Sequence, residues 1–208
     1  MAVLIDWPDS LIPNEMTWAL ESNAKQFTSP FTGDEQVVQF PGSRWRASLT
    51  FTALQGDRRR QAEVLCAQLD GMAGKVRLWD FGARLVSRPP VALGSPIVSI
   101  ADQVGSRLTT SGWTPDVQVL AMGDWIEVNG ELKRVTADVV STSTGVATLP
   151  IAPMLRSSPP TGTPLEVVRP RGTFRLADNS QGKFSRRPGN ALDVSGRVTL
   201  EFVETWSS

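Results

Sequence analysis

Period-two alternation of apolar and polar residues runs through most of this sequence, and strands patterned that way must bury one face. The clearest case is "EQVVQF" followed by "RWRASLTF", with Pro41-Gly42 between them suited to the centre of a type II turn. Trp45, Ala47, Leu49 and Phe51 fall on one side of the second run, and Arg44, Arg46, Ser48 and Thr50 on the other. That division predicts a half-buried antiparallel strand with a polar outer surface. A further turn is expected at Thr32-Gly33. Asn129-Gly130, inside "GDWIEVNGELKRVTADVV", is the strongest short hairpin signal in the chain. "KVRLWDF" alternates as well, and near the end Val198, Leu200 and Phe202 share a face.

Only "GDRRRQAEVLCAQLDGMAGK" has a helical period, with Ala62, Leu65, Leu69 and Met72 spaced by three, four and three residues. The spacing predicts a helix over about 57–72, with Asp57 as N-cap and Gly71 and Gly74 as stop residues. Arg58, Arg59 and Arg60 then occupy the first turn, where the helix dipole disfavours cations. Residues placed against a local preference point to a contact elsewhere.

The Pro- and Gly-rich stretch "RLVSRPPVALGSP" marks a boundary near Pro89. Beyond it, residues 91–168 read as a small all-β module without a helix, and alternating strands resume afterwards. The expected architecture is mainly β. A discontinuous domain of residues 1–90 and 169–208 carries one flanking helix and is interrupted by a β-barrel-like insertion at 91–168. No internal repeat suggests a solenoid or propeller.

A hydrophobic fraction of 40% supports a sizeable core, and no apolar run is long enough to predict a membrane-spanning helix. The N-terminus lacks the basic and small-residue features of a secretory signal, so a first strand is expected there. Cys66 is the single cysteine, which rules out an internal disulfide and suits assembly in a reducing cytoplasm.

The chain has no histidine, which excludes Ser-His-Asp and Cys-His catalysis and imidazole metal ligation. "DGMAGKV" only imitates a phosphate loop: two residues separate Gly71 from Gly74-Lys75 where four are needed, and Val76 replaces the magnesium-holding hydroxyl. Asp124 with Glu127, or Asp34 with Glu35, are the nearest paired carboxylates, and turn or surface positions explain both. The reading is therefore a non-enzyme without cofactor or metal. A cell-wall hydrolase would need two carboxylates converging in a cleft. Of the seven tryptophans, Trp18, Trp45 and Trp79 follow strand alternation and are expected in the core. Trp7, Trp113 and Trp206 remain available for contacts, and a carbohydrate-binding role would use Trp113 or Trp125.

The formal net charge of zero is a cancellation of blocks. Residues 1–40 carry one basic and six acidic groups, 41–90 nine and four, 91–168 four and seven, and 169–208 seven and four. Opposite blocks can meet within one fold or on opposite flanks of a subunit, so that copies associate head to tail and close a ring. Seventeen of the 21 basic residues are arginine, the type enriched at interfaces. Arginines also concentrate in "RPRGTFRL" and "KFSRRPG", but the acidic insertion and the few neighbouring aromatics speak against specific nucleic-acid binding.

The opening pattern "W...L.SN...F.SPFTG..Q...FPGSRW.A.L.F", then "AEVLCAQLDGMAGK" and "VRLWDF", resembles the N-terminal part of distal tail proteins of long-tailed bacteriophages. "GDWIEVNGELKRV", "ATLPIAPMLRSSPPTGTPLEV" and "GTFRLADN" resemble the inserted module and return strand of small tail-tip proteins. The resemblance implies a tail-tube-like antiparallel β sandwich with a flanking helix. It implies a hexameric ring in the virion, joining the tail tube to hub, baseplate and fibre proteins. Combined with the charge blocks, it makes Arg44, Arg46, Arg58, Arg59, Arg60, Arg186 and Arg187 the candidate ring-interface residues.

Overall fold

The computed structural model describes residues 3–82, 93–185 and 196–206. Among them the chain is mainly β, with sixteen strands and one helix. It divides into two compact units, one of Met1–Ala19, Trp45–Ala83 and Arg171–Ser208, the other of Leu20–Arg44 and Arg84–Pro170.

The first unit is built on a six-stranded sheet. Its strands are β1 (Leu4–Asp6), β2 (Glu15–Glu21), β5 (Arg44–Phe51), β6 (Lys75–Leu78), β15 (Gly172–Leu176) and β16 (Val198–Glu204), in the order β1-β6-β15-β16-β5-β2. β1 pairs parallel with β6, and β6, β15, β16 and β5 pair antiparallel in turn. Alternation on β5 follows the expectation at Trp45, Ala47, Leu49 and Phe51, which are buried, and at Arg46, which is exposed, but Thr50, expected on the outer face, is buried and its hydroxyl meets that of Thr199 at 3.0 Å. Val198, Leu200 and Phe202 supply the matching buried face of β16. Trp7 completes this core at 2% exposure, with its ring 6.2 Å from Phe51 and 5.9 Å from Phe202. Its indole Nε1 donates to the Leu11 carbonyl at 2.7 Å, so the buried polar atom is satisfied.

Helix α1 spans Gly56–Leu69 and buries Arg59, Ala62, Leu65 and Leu69. Its limits correct the expected ones. Gln55, not Asp57, is the N-cap, in extended conformation and without a side-chain cap. Asp57 lies in the first turn, where its charge opposes the helix dipole favourably. At the other end Asp70 turns left-handed at φ 46°, followed by Gly71 at φ 63°, and the Gly74 amide donates to the Leu69 carbonyl at 2.7 Å. A Cβ on Gly74 would stand 2.5 Å from that carbonyl oxygen, so only glycine lets the chain turn back this closely.

The second unit contains a two-stranded ribbon, β3 (Ala24–Thr28) with β4 (Glu35–Gln39), and a six-stranded sheet. That sheet comprises β7 (Gly94–Val98), β8 (Gly105–Trp113), β10 (Trp125–Val128), β11 (Glu131–Val135), β13 (Ala147–Leu155) and β14 (Leu165–Glu166), in the order β14-β10-β11-β13-β8-β7. Its ends meet: the Val98 amide donates to Thr163 at 2.9 Å, the Gly162 amide to Val98 at 2.8 Å, and Ile97 bridges Pro164. The sheet is therefore a closed barrel. β9 (Gln118–Leu120) and β12 (Val139–Val140) form a small accessory pair. Asn129-Gly130 makes the expected two-residue turn, at φ 50° and 73°, with Val128 opposite Glu131. Sixteen buried residues fill the core of this part, among them Val98, Leu108, Ile126, Leu149 and Ile151.

A group of buried charges accompanies that apolar core. Lys133, with no exposed surface, lies 2.5 Å from Glu131 and donates to the Met154 carbonyl at 3.0 Å. Arg156 approaches the same carboxylate at 3.4 Å. Burial alone would push the Glu131 carboxyl up, but the Lys133 and Arg156 cations outweigh it and hold the group below its ordinary value.

Two outcomes are expected. Gly74→Ala should lower stability by about 1–3 kcal/mol in denaturant titration, because the added methyl meets backbone that cannot yield. The depressed Glu131 value contributes stability that is complete above its ordinary value of 4.5 and is lost as pH falls through the lower folded value. Thermal melts should therefore weaken with acidification below that point. Glu131→Gln should cost about 3 kcal/mol at neutral pH and flatten this acid limb.

Candidate assembly surface

The β3–β4 ribbon is exposed on both faces. Val38 is its one half-buried strand residue. Register places Phe27 opposite Gln36 and Val37 opposite Gln26, so apolar side chains project from opposite faces, at 54% and 65% exposure. At the tip, the expected Thr32-Gly33 turn is held by its own hydrogen bonds: Ser29 N–H to the Asp34 carbonyl at 2.8 Å, Gly33 N–H to the Ser29 carbonyl at 3.0 Å, and Thr32 Oγ1 to Asp34 Oδ2 at 2.8 Å. This closed loop presents Phe31 at 95% exposure.

The base of the ribbon is an elbow. The Phe40 amide donates to the Asn23 carbonyl at 2.8 Å, the Asn23 amide to Ser43 Oγ at 3.1 Å, and Asn23 Nδ2 to the Pro41 carbonyl at 2.8 Å. Gly42 adopts φ 112°, a conformation that favours glycine at the Pro41-Gly42 turn. Ser43 is 1% exposed, so the elbow is built around a buried hydroxyl.

The arginines singled out from sequence occupy different settings. Arg44 faces Glu21 at 3.8 Å, and Arg46 lies on the outer face of β5. Arg58 Nη2 donates to the Ile12 carbonyl at 2.7 Å, and Arg60 pairs with Asp57 at 3.3 Å. Arg59 is buried; its Nε bonds Glu63 at 3.0 Å and its Nη2 donates to the Ser185 carbonyl at 2.6 Å. The basic first turn of α1 thus makes contacts within the chain, which explains cations at a helix end that disfavours them. Arg186 and Arg187 lie outside the described residues.

Trp113 and Trp125 are buried, at 3% and 5% exposure, so neither offers the stacking surface expected for a sugar. Trp113 Nε1 donates to Thr110 Oγ1 at 2.7 Å, and Arg134 covers the Trp125 ring at 4.8 Å. Trp206 is 46% exposed. Asp124 and Asp34 have local roles, accepting from the Ala121 amide and the Thr32 hydroxyl. Among the described residues no three acidic, cysteine or histidine side chains converge as a metal site would require. An open depression lined by Asp70, Gly71, Met72, Ala73, Arg175 and Asn179 lies beyond the helix C-terminus. Burial raises the Cys66 thiol to about 11, leaving little nucleophilic thiolate at neutral pH. No family model matches the sequence, and no curated protein is found to be similar to it.

Arg59→Met, which keeps the aliphatic stem but deletes the guanidinium bonds, should cost about 2 kcal/mol in thermal or urea unfolding. If Arg59 serves the fold as its contacts indicate, self-association measured well below the melting temperature should be unaltered.

Proposed function

We propose that this protein is a structural subunit of a bacteriophage tail tip, forming a ring between the tail tube and the hub, baseplate and fibre proteins. One observation carries the reading: the β3–β4 ribbon is a preformed arm with uncovered apolar side chains on both faces and an aromatic residue at its tip. A lone two-stranded ribbon has little stability in water and gains it by packing. A neighbouring copy is the occupant proposed for the arm. Every copy then supplies one arm and one receiving surface, the head-to-tail arrangement that closes rings. Covering Phe27 and Phe31 contributes about 2 kcal/mol each, enough to change the assembly state. The likeness of "SPFTG" and "FPGSRW" to distal tail proteins supports the same reading, since these motifs form the ribbon tip and its elbow.

Phe27→Ser with Phe31→Ser should leave the melting temperature nearly unchanged, because both side chains are exposed in the single chain. Analytical ultracentrifugation should show larger species, and electron microscopy rings, for the wild type and neither for the variant. Wild-type protein that stays monomeric up to its solubility limit, or a variant that assembles as well as wild type, would refute the role of the arm.

A further inference from the structure

The outer face of the first unit's sheet carries cations in neighbouring positions. In the antiparallel β6–β15 register, Thr173 lies opposite Arg77 and Phe174 opposite Val76, which places Arg175 opposite Lys75. Arg175 in turn lies opposite Val203, and Val203 opposite Arg46. One row across four strands therefore reads Lys75, Arg175, Val203, Arg46. With strands about 4.8 Å apart, three cations fall within roughly 15 Å. Like charges in facing cross-strand positions oppose sheet formation, so the row runs against the local preference. Asp6, in the adjacent row, is shared by Arg77 and Arg171 at 4.0 and 3.0 Å. Lys75 and Arg175 have no ion-pair partner among the described residues, and Lys75 is half-buried.

A complementary surface lies on the same chain. Within residues 93–168 the cations are Arg107, Lys133, Arg134 and Arg156, and two of them, Lys133 and Arg156, are sequestered with Glu131. The remaining charges are Asp102, Asp116, Asp124, Glu127, Asp138 and Glu166 against Arg107 and Arg134, six negative to two positive. Burying two cations with one anion makes the barrel surface more acidic than its sequence count.

We propose that the Lys75–Arg175–Arg46 row of one copy docks on the acidic barrel surface of a second copy. This rests on the ring reading and names the charged surfaces through which neighbours meet. A second copy fits the row because each copy carries both a cationic row and a net-acidic barrel surface, and the two complement each other between molecules.

The test uses full-length protein, assembled from equal parts of unlabelled and nitrogen-15-labelled chains and treated with a carbodiimide, which joins lysine amines to carboxylates in contact. Mass spectrometry should find Lys75 joined to Asp102, Asp116, Asp124, Glu127, Asp138 or Glu166 in mixed-isotope pairs. Lys75→Glu with Arg175→Glu should weaken self-association at least ~10-fold without altering the melting temperature. Assembled protein whose Lys75 links only within one copy, or to other carboxylates, overturns the docking and leaves the ring reading standing. Protein that remains monomeric overturns both. Retention on single-stranded DNA that the double variant loses, with assembly unaffected, assigns the row to nucleic acid instead.

Discussion

The sheet of the first unit is completed by a strand from the far end of the chain. β16 lies between β15 and β5, and without it the β1-β6-β15 and β5-β2 parts of the sheet are not joined. Its register is fixed from Val198 opposite Phe51 to Val203 opposite Arg46. Just past that register Glu204, fully buried, accepts the Trp45 amide at 3.1 Å. A one-residue slip would turn Leu200 and Phe202 outward and Thr199 and Glu201 inward. Loop-closure entropy grows slowly with length, so a long insertion ahead of the closing strand adds little cost at equilibrium. It does make the decisive contacts distant in sequence, which slows folding.

Charge serves two purposes in this protein. Arg59 and Glu131 make contacts inside their own units, where geometry and burial give each bond weight. The sheet row, exposed at Arg46 and half-buried at Lys75 and Arg175, and the barrel carboxylates are at surface positions where isolated pairs contribute little and only complementary surfaces add up. The block charges of the sequence mix these two populations. The structure separates them by burial.

Much of the fold was legible because its signals are local. The alternation of "RWRASLTF", the Asn129-Gly130 turn and the single helix each depend on residues close in sequence. What local pattern could not show was which groups distant strands would cover. Trp113 had no decisive periodicity, and the alternation around Trp125 did not say which face would be covered, yet both are enclosed. Lys133 looks like an exposed residue until its partners arrive from the end of β13, at Met154 and Arg156. The helix N-terminus was misplaced by two residues because Asp57 has the chemistry of a cap while Gln55 has the backbone conformation of one. Only one strand of the ribbon was legible, "EQVVQF" as β4; β3 lacks clear alternation, and β4 pairs with β3 instead of with "RWRASLTF", which lies between β16 and β2, because pairing partners are chosen by the whole sheet and not by the adjoining turn.

The closure of the barrel has a consequence for growth. A closed sheet leaves no backbone edge for another strand to extend, whereas β1 and β2 are edge strands of the first unit's sheet. Substitutions on the barrel surface can change what it recognises without creating a strand template for runaway polymerisation. The two units can therefore diverge at different rates: the sheet is constrained by its edges and by its distant closing strand, while the barrel can vary its surface charge and loops over a self-contained core.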